Sequence, residues 1–348
     1  MLKKVTNLEL TPNFCLSTTA PILHQLKNEY YKLRISFIIS RKTMENKITW
    51  AAFYELSEIY IAPLNLIWFL FASAIAYQDF HYLNIINILL CFLDVFLFDL
   101  AVNIADDYFD YLHGKDPHFL TVTNTIGRMK LSLPAVKKLM VIMYIVSAIP
   151  GLILVYRTNY IVLILGMIGY FFGIFYTAGP KPLNATKFCE LIVSGMISVF
   201  IIEVGVYVAI CGQYTFTWNT FLTTLLKCLP IFFLFFATQL ANNTCDLRED
   251  LINGKKTFAS YLGTKKSIYL LKILTILGFL TPILLAAINQ ISWFNTLVVL
   301  ITPFLWKNLQ TFFNNPDKHK TYMIFIKNES LYFTIYIGLF FILSLIKR

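Results

Sequence analysis

Charge is scarce in this chain. Asp, Glu, Lys and Arg together make up only 14% of its 348 residues, against 57% apolar ones. An ordinary soluble domain carries about 25% charged residues, so a water-soluble globule is excluded. The six cysteines, Cys15, Cys91, Cys189, Cys211, Cys228 and Cys245, are scattered with no C-x-x-C spacing. That argues against a disulfide framework and against a zinc site. Segments of about ten residues with alternating polarity are also missing, and with them a transmembrane barrel. Near the amino terminus the only apolar run is "ISFIIS", too short for a secretory core.

What is abundant is apolar length. Mean hydropathy is +0.66, and a membrane-crossing helix needs roughly 20 mostly apolar residues. That criterion predicts about nine segments: 59–78, 82–104, 136–155, 160–178, 188–210, 221–243, 268–289, 291–312 and 329–346. Aromatic residues at 16% suit packing among helices and placement at the lipid interface. The predicted class is an all-α integral membrane bundle. Residues 1–43 are polar and basic, and Met44 looks like a natural start. They are expected to form a poorly ordered extension ahead of one transmembrane domain over 44–348.

Lys and Arg concentrate in alternate connections. Lys115, Arg128 and Lys130 follow the second segment, Lys181 and Lys187 the fourth, Arg248, Lys255, Lys256, Lys265 and Lys266 the sixth, and Lys307, Lys318, Lys320 and Lys327 the eighth. The positive-inside rule places these connections and the amino terminus in the cytoplasm. The formal charge of +10 is then mostly a matter of topology and of attraction to anionic lipid. No nucleic-acid partner is needed, and nothing in the sequence specifies an oligomeric state.

One polar stretch occurs twice. "NIADDYFDYLHGK" (103–115) lies over "NTCDLREDLINGK" (243–255) without a gap, matching Asn103 to Asn243, Asp106 to Asp246, Asp110 to Asp250, Gly114 to Gly254 and Lys115 to Lys255. The shared pattern ends the second and the sixth segment, so the chain reads as two four-helix pseudo-repeats plus one helix. Residues three or four apart share a helix face. Asn103, Asp106, Asp107 and Asp110 therefore form one stripe, and Asn242, Asn243, Asp246 and Asp250 another. Carboxylates this close repel, and burial adds to the cost, so a cation is expected between them. Oxygen ligands without His or Cys suit a hard divalent ion, and Mg²⁺ in particular combines one or two carboxylates with phosphate oxygens.

Basic residues stand directly behind both stripes. Arg128, Lys130, Lys255 and Lys256 are placed to grip a polyanion. Carboxylates, Mg²⁺ and Lys/Arg together describe a diphosphate site, and at a membrane edge the fitting diphosphate carries an isoprenoid tail. A blander account makes a single acidic stripe a solvated helix end and the loop lysines topology signals. The duplication in matching register weighs against it. Asp94, Asp99 and Glu203 are intramembrane carboxylates with no role legible from spacing.

The two stripes resemble the aspartate-rich motifs of the UbiA superfamily of intramembrane prenyltransferases. "ANNTCDLREDLINGKKTFASYLG" (241–263) is close to the second motif, and "YTAGPKPLNATKFCELIVSG" (176–195) and "FYELSEIYIAP" (53–63) are similar to stretches of the branch that acts on 1,4-dihydroxy-2-naphthoate. The resemblance covers roughly residues 50–346. It implies a bundle whose polar cavity opens to lipid and is capped by cytoplasmic loops. It also implies Mg²⁺ held by Asp106, Asp107, Asp110, Asp246 and Asp250, with Asn103, Asp107, Asp110, Asp246 and Asp250 as the catalytic core. Arg128, Lys130, Lys255, Arg248, Asn242 and Asn243 would bind diphosphate, while Tyr108 and Tyr176, with Phe109 and Phe175, would face the prenyl cation or the acceptor. The implied reaction moves a polyprenyl group from its diphosphate to an aromatic acceptor. For the naphthoate acceptor, loss of CO₂ accompanies transfer and demethylmenaquinone results.

The chain also departs from that branch. Asp106 stands where Asn is usual, and Cys245 where an Arg precedes the second motif's first Asp, so Arg248 is expected to substitute. Other members of the superfamily prenylate 4-hydroxybenzoate, haem, chlorophyllide or homogentisate. A secondary transporter is the rival from another class, since it too shows repeats and intramembrane carboxylates. Transporter sites, however, lie near the bilayer midplane on broken helices, whereas these stripes sit at one face.

Overall fold

The computed structural model describes residues 47–346, and every element in it is helical. The extension expected over residues 1–43 lies outside the described residues. In chain order the main helices are α1 (Trp50–Leu56), α2 (Asn65–Phe80), α3 (Ile85–His113), α4 (Leu133–Arg157), α5 (Tyr160–Thr177), α6 (Cys189–Ile210), α7 (Trp218–Cys245), α8 (Leu247–Asn253), α9 (Phe258–Ala287), α10 (Thr302–Asn314) and α11 (Tyr322–Ile346). Seven of these, α3 to α7, α9 and α11, are long and apolar enough to cross a bilayer, and the protein is a multi-pass integral membrane protein.

Two of the nine expected segments differ in form. Residues 57–64 turn rather than continue a helix, because Glu58 takes a left-handed φ of 47°, so α2 is only 16 residues long. The 291–312 segment is a tight 3-10 helix, Trp293–Ile301, running into α10.

Local chemistry sets the helix ends. Asn84 caps α3 by accepting from Asn87 N at 3.2 Å. Thr217 and Thr220 form a reciprocal capping box that starts α7. Gly254, at φ 85°, ends α8 in the left-handed conformation a side chain would resist. With 29 residues, α3 is about 43 Å long at 1.5 Å per residue, well beyond a hydrocarbon core of about 30 Å. Its last turns, which carry Asp106, Asp107 and Asp110, therefore leave the apolar layer.

Packing pairs α3 with α4 and α7 with α9 along their lengths. The second pair comes close because Gly278 has no side chain: a Cβ there would stand 2.5 Å from Leu234 Cγ and 3.1 Å from the Pro230 carbonyl. Pro282 cannot donate to the Gly278 carbonyl four residues earlier, and the Tyr332 hydroxyl of α11 donates to it instead, at 3.0 Å. One apolar core joins α2, α6, α7, α9 and α11, with Phe71 edge-on to Phe340 at 5.1 Å. A smaller one joins α1, α3 and α4.

Candidate active site

The end of α3 splits its polar residues between two directions. Asn103 and Asp106 line a cavity of about 430 Å³ among α3, α5 and α6. Asp110, one turn further on, lines a polar basin of about 600 Å³ outside it. Asn184 connects the two spaces: it lines the basin, and its amide donates to Asp106 Oδ1 at 3.1 Å. The 3-10 turn Leu183–Ala185 holds Asn184 over the helix end, and the Lys256 N–H donates to the Ala185 carbonyl at 3.1 Å.

The second stripe meets the first here. Lys255 Nζ donates to Asp110 Oδ2 at 2.6 Å. Asn253 Oδ1 accepts from the backbone N–H groups of Lys115 at 2.9 Å and Asp116 at 3.0 Å. Asp250 is buried, and its Oδ2 has no hydrogen-bond partner among the described residues. Burial pushes its pKa up to about 7; Lys255 opposes the rise, and Asp246 and Asp110 add to it. Burial disfavours the Lys255 charge, but Asp110, Asp106 and Asp250 around it win, and its pKa is raised. Asp246 pairs with Lys318, which also donates to Asn242 Oδ1 at 2.6 Å. Asn243 donates to Glu190 Oε1 at 2.9 Å.

So the cation expected between the carboxylates is supplied, in part, by lysine. Among the described residues no three His, Cys, Asp or Glu side chains already converge as a metal cage. The arrangement can neutralise a polyanion with Lys115, Lys181, Lys255 and Lys256, all of which line the basin. Behind Asp106 the same cavity continues between Val102, Leu165, Val193, Ile197 and Phe200, with Asp94 and Asp99 set into this mostly apolar wall.

Several expected site residues are placed elsewhere. Asp107 does not share the cavity face of Asp106: its Oδ1 accepts from Asn124 at 3.0 Å, on the side packed against α1 and α4. A step of one residue turns a helix by about 100°, and the sequence spacing alone hid that turn. Arg128 is exposed and paired with Glu55, while Lys130 is exposed at φ 52°; neither lines the cavity or the basin. Arg248 is exposed on α8 and lines neither space, so the cation beside Asp246 is Lys318, not Arg248. Tyr176 lines the cavity, whereas Tyr108 and Phe109 pack into the smaller core and Phe175 is exposed.

Other residues around the site were not among the expected ones. Glu190, fully buried, accepts from the N–H groups of Phe258 and Ala259, both at 3.2 Å, as well as from Asn243. It ties the start of α9 to the second stripe. Glu58 lines the cavity, and burial raises its pKa while Lys318 opposes the rise. Asp94 and Asp99, singled out in the sequence without a role, are both in the cavity wall, where Asp99 accepts from Asn65 at 2.9 Å and Asp94 from the Tyr170 hydroxyl at 3.2 Å. Glu58, Asn184 and Glu190 all lie inside stretches whose family likeness was visible, which was the available signal; Lys318 had none.

Residues 65–336 match the UbiA prenyltransferase family. The chain belongs to that family. It is similar to the 1,4-dihydroxy-2-naphthoate octaprenyltransferase of Bacillus subtilis (strain 168), with 28% identity over 175 residues, 49% of this chain. The chain spans about half, 53%, of that relative's length. Solved structures of this UbiA fold are also similar. A structure of digeranylgeranylglyceryl phosphate synthase has a TM-score of 0.59 at 18% identity, covering 84% of this chain and 98% of that one. A UbiA homologue from Archaeoglobus fulgidus, bound to DMAPP and Mg²⁺, has 0.54 at 10% identity, covering 83% and 98%. The homologue from Aeropyrum pernix K1 has 0.56 at 13%, covering 81% and 97%. At these identities the likeness establishes the fold.

Proposed function

We propose that this protein transfers a polyprenyl group from its diphosphate to an aromatic acceptor, and that the acceptor is 1,4-dihydroxy-2-naphthoate. One observation carries the reading: Asp110 and Asp250, from the two matching stretches, flank Lys255 where a lysine-lined basin adjoins a mostly apolar cavity. The diphosphate occupies the basin and the tail the cavity. The likeness to a naphthoate octaprenyltransferase supports the acceptor.

Mg²⁺ fits the residues present. Asp106, Asp110, Asp246 and Asp250 are hard oxygen donors of the type it takes, and the buried Asp250 Oδ2 has no hydrogen-bond partner among the described residues. When bound, Mg²⁺ would neutralise part of the charge on the leaving diphosphate. Lys255 and Lys256 stabilise the same charge as the allylic C–O bond breaks and its electron pair leaves with the diphosphate. Asn184 holds Asp106 in place, and Glu190 holds Asn243. The apolar wall excludes water that would capture the carbocation, and Tyr176 presents a π face beside it. The naphthoate ring carbon then forms the new C–C bond, and its carboxylate departs as CO₂, returning its bonding pair to the ring. Demethylmenaquinol, the reduced form of demethylmenaquinone, results with diphosphate and CO₂.

The proposal includes the topology. Basic residues crowd the motif end, which favours a cytoplasmic site and amino terminus. The α3–α4 and α7–α9 pairs, each behind one copy of the stretch, suit nine spans built as two four-helix pseudo-repeats and a final helix. Membranes containing the protein, supplied with radiolabelled polyprenyl diphosphate, Mg²⁺ and a panel of aromatic acceptors, test the reading. Expected is label transfer to the dihydroxynaphthoate with release of CO₂. Transfer to a different acceptor would overturn the acceptor, and no transfer to any would overturn the activity.

A further inference from the structure

Glu203 of α6 is only 7% exposed, and neither of its carboxylate oxygens has a hydrogen-bond partner among the described residues. It lies in the wall of a second cavity, of about 620 Å³. Except for Tyr207, whose hydroxyl is turned to Asn159 Oδ1 at 3.1 Å, the other lining residues there are hydrocarbon or glycine. Leu165, Phe200 and Val204 line both this cavity and the one that reaches Asp106. The two cavities are therefore neighbours, meeting at these three side chains.

A hydrocarbon tail alone does not explain a carboxyl group at that position. An apolar cavity stays dry, but a carboxyl group gives water the polar contacts it needs to enter. A tail that ends before these three side chains leaves Glu203 with that water. A tail that pushes past them displaces it and offers only C–H groups, so the carboxyl is desolvated without compensation. We propose that Glu203 is a specificity-determining residue that limits the length of the donor's prenyl tail, by making the second cavity unfavourable to any tail that enters it. This rests on reading the first cavity as the donor site.

The test compares full-length wild type, Glu203→Leu and Glu203→Gln in bilayers, each with a short and a much longer all-trans prenyl diphosphate. The readout is the ratio of kcat/KM for the long donor over the short one within each protein. It is expected to rise roughly tenfold in Glu203→Leu, the cost of one uncompensated buried polar group, with the change in the long donor's KM. A smaller rise is expected in Glu203→Gln, which keeps a polar head. Thermal unfolding identifies a misfolded variant; if Glu203→Leu fails there, the Glu203→Gln ratio decides. An unchanged or lower ratio in the folded variants overturns the role of Glu203. A wild type that releases diphosphate from neither donor overturns instead the donor-site reading beneath it.

Discussion

The two copies of the duplicated stretch align without a gap, yet they fold differently. In the first, Asn103 to Asp110 ride one unbroken helix, α3, that runs on to His113. In the second, α7 stops at Cys245 and α8 starts at Leu247, with Asp246 at the break, φ −88° and ψ 3°. The rigid copy sends Asp106 inward and Asp110 outward. The broken copy folds back, so that Asn253 reaches the backbone of Lys115 and Asp116 and Lys255 reaches Asp110. The two matching stretches thus take different shapes, one a straight framework and the other a clasp.

Removing the carboxylates at the junction breaks the comparison hardest. Asp110→Asn and Asp250→Asn are each expected to lower diphosphate release by roughly 10²–10³-fold, the scale of losing one electrostatic stabiliser of a transition state. Steady-state release assays decide this, and a loss confined to Asp110→Asn would mean the clasp has no chemical part. Lys255→Gln comes next. Its side chain is 24% exposed and that of its partner Asp110 17%, so truncation strands a largely buried charge. A rise in donor KM of roughly 30-fold or more is expected, from the 2–5 kcal/mol typical of breaking a buried charged pair. Titrating the donor at saturating acceptor measures it.

The framework was legible in the sequence and the clasp only half so. Apolar runs report themselves because burial in lipid adds up over about 20 residues, so 160–178 was expected where α5 spans Tyr160–Thr177. Hydropathy cannot see a polar helix end, and the segment expected to stop at 104 continues to His113. Periodicity put Asp107 on the same stripe as Asp106, because a spacing rule tolerates neighbours that real side-chain directions separate. Lys318 lies 72 residues from Asp246, and nothing local marks such a pairing. Arg128, nearer in sequence and of the right charge, is held instead by Glu55.

A smaller effect separates the two lysines. The Lys318 side chain is 36% exposed, so water replaces much of what its pair with Asp246 supplies. Lys318→Gln is expected to raise donor KM only about threefold to tenfold, given that a partly exposed pair contributes about 1 kcal/mol. Measured beside Lys255→Gln under the same conditions, an equal or larger effect would reverse the ranking and make the Lys318 end of the broken copy the tighter grip.

The mildest change acts on the join alone. Asn253→Ala removes one amide oxygen that lines the basin and accepts two backbone N–H groups of the other copy, but bonds to none of the carboxylates proposed to hold Mg²⁺. Lys115 is exposed, so its freed N–H is recovered by water and the loss is about 1 kcal/mol, the net value of a typical hydrogen bond. The unfolding midpoint should fall by a few degrees at most. Because the join also sets where Lys255 stands, donor KM should rise slightly with kcat unchanged. A variant that unfolds earlier but keeps the wild-type KM would show that the clasp positions itself through Lys255 and Asp110, with Asn253 serving only to hold the loop down.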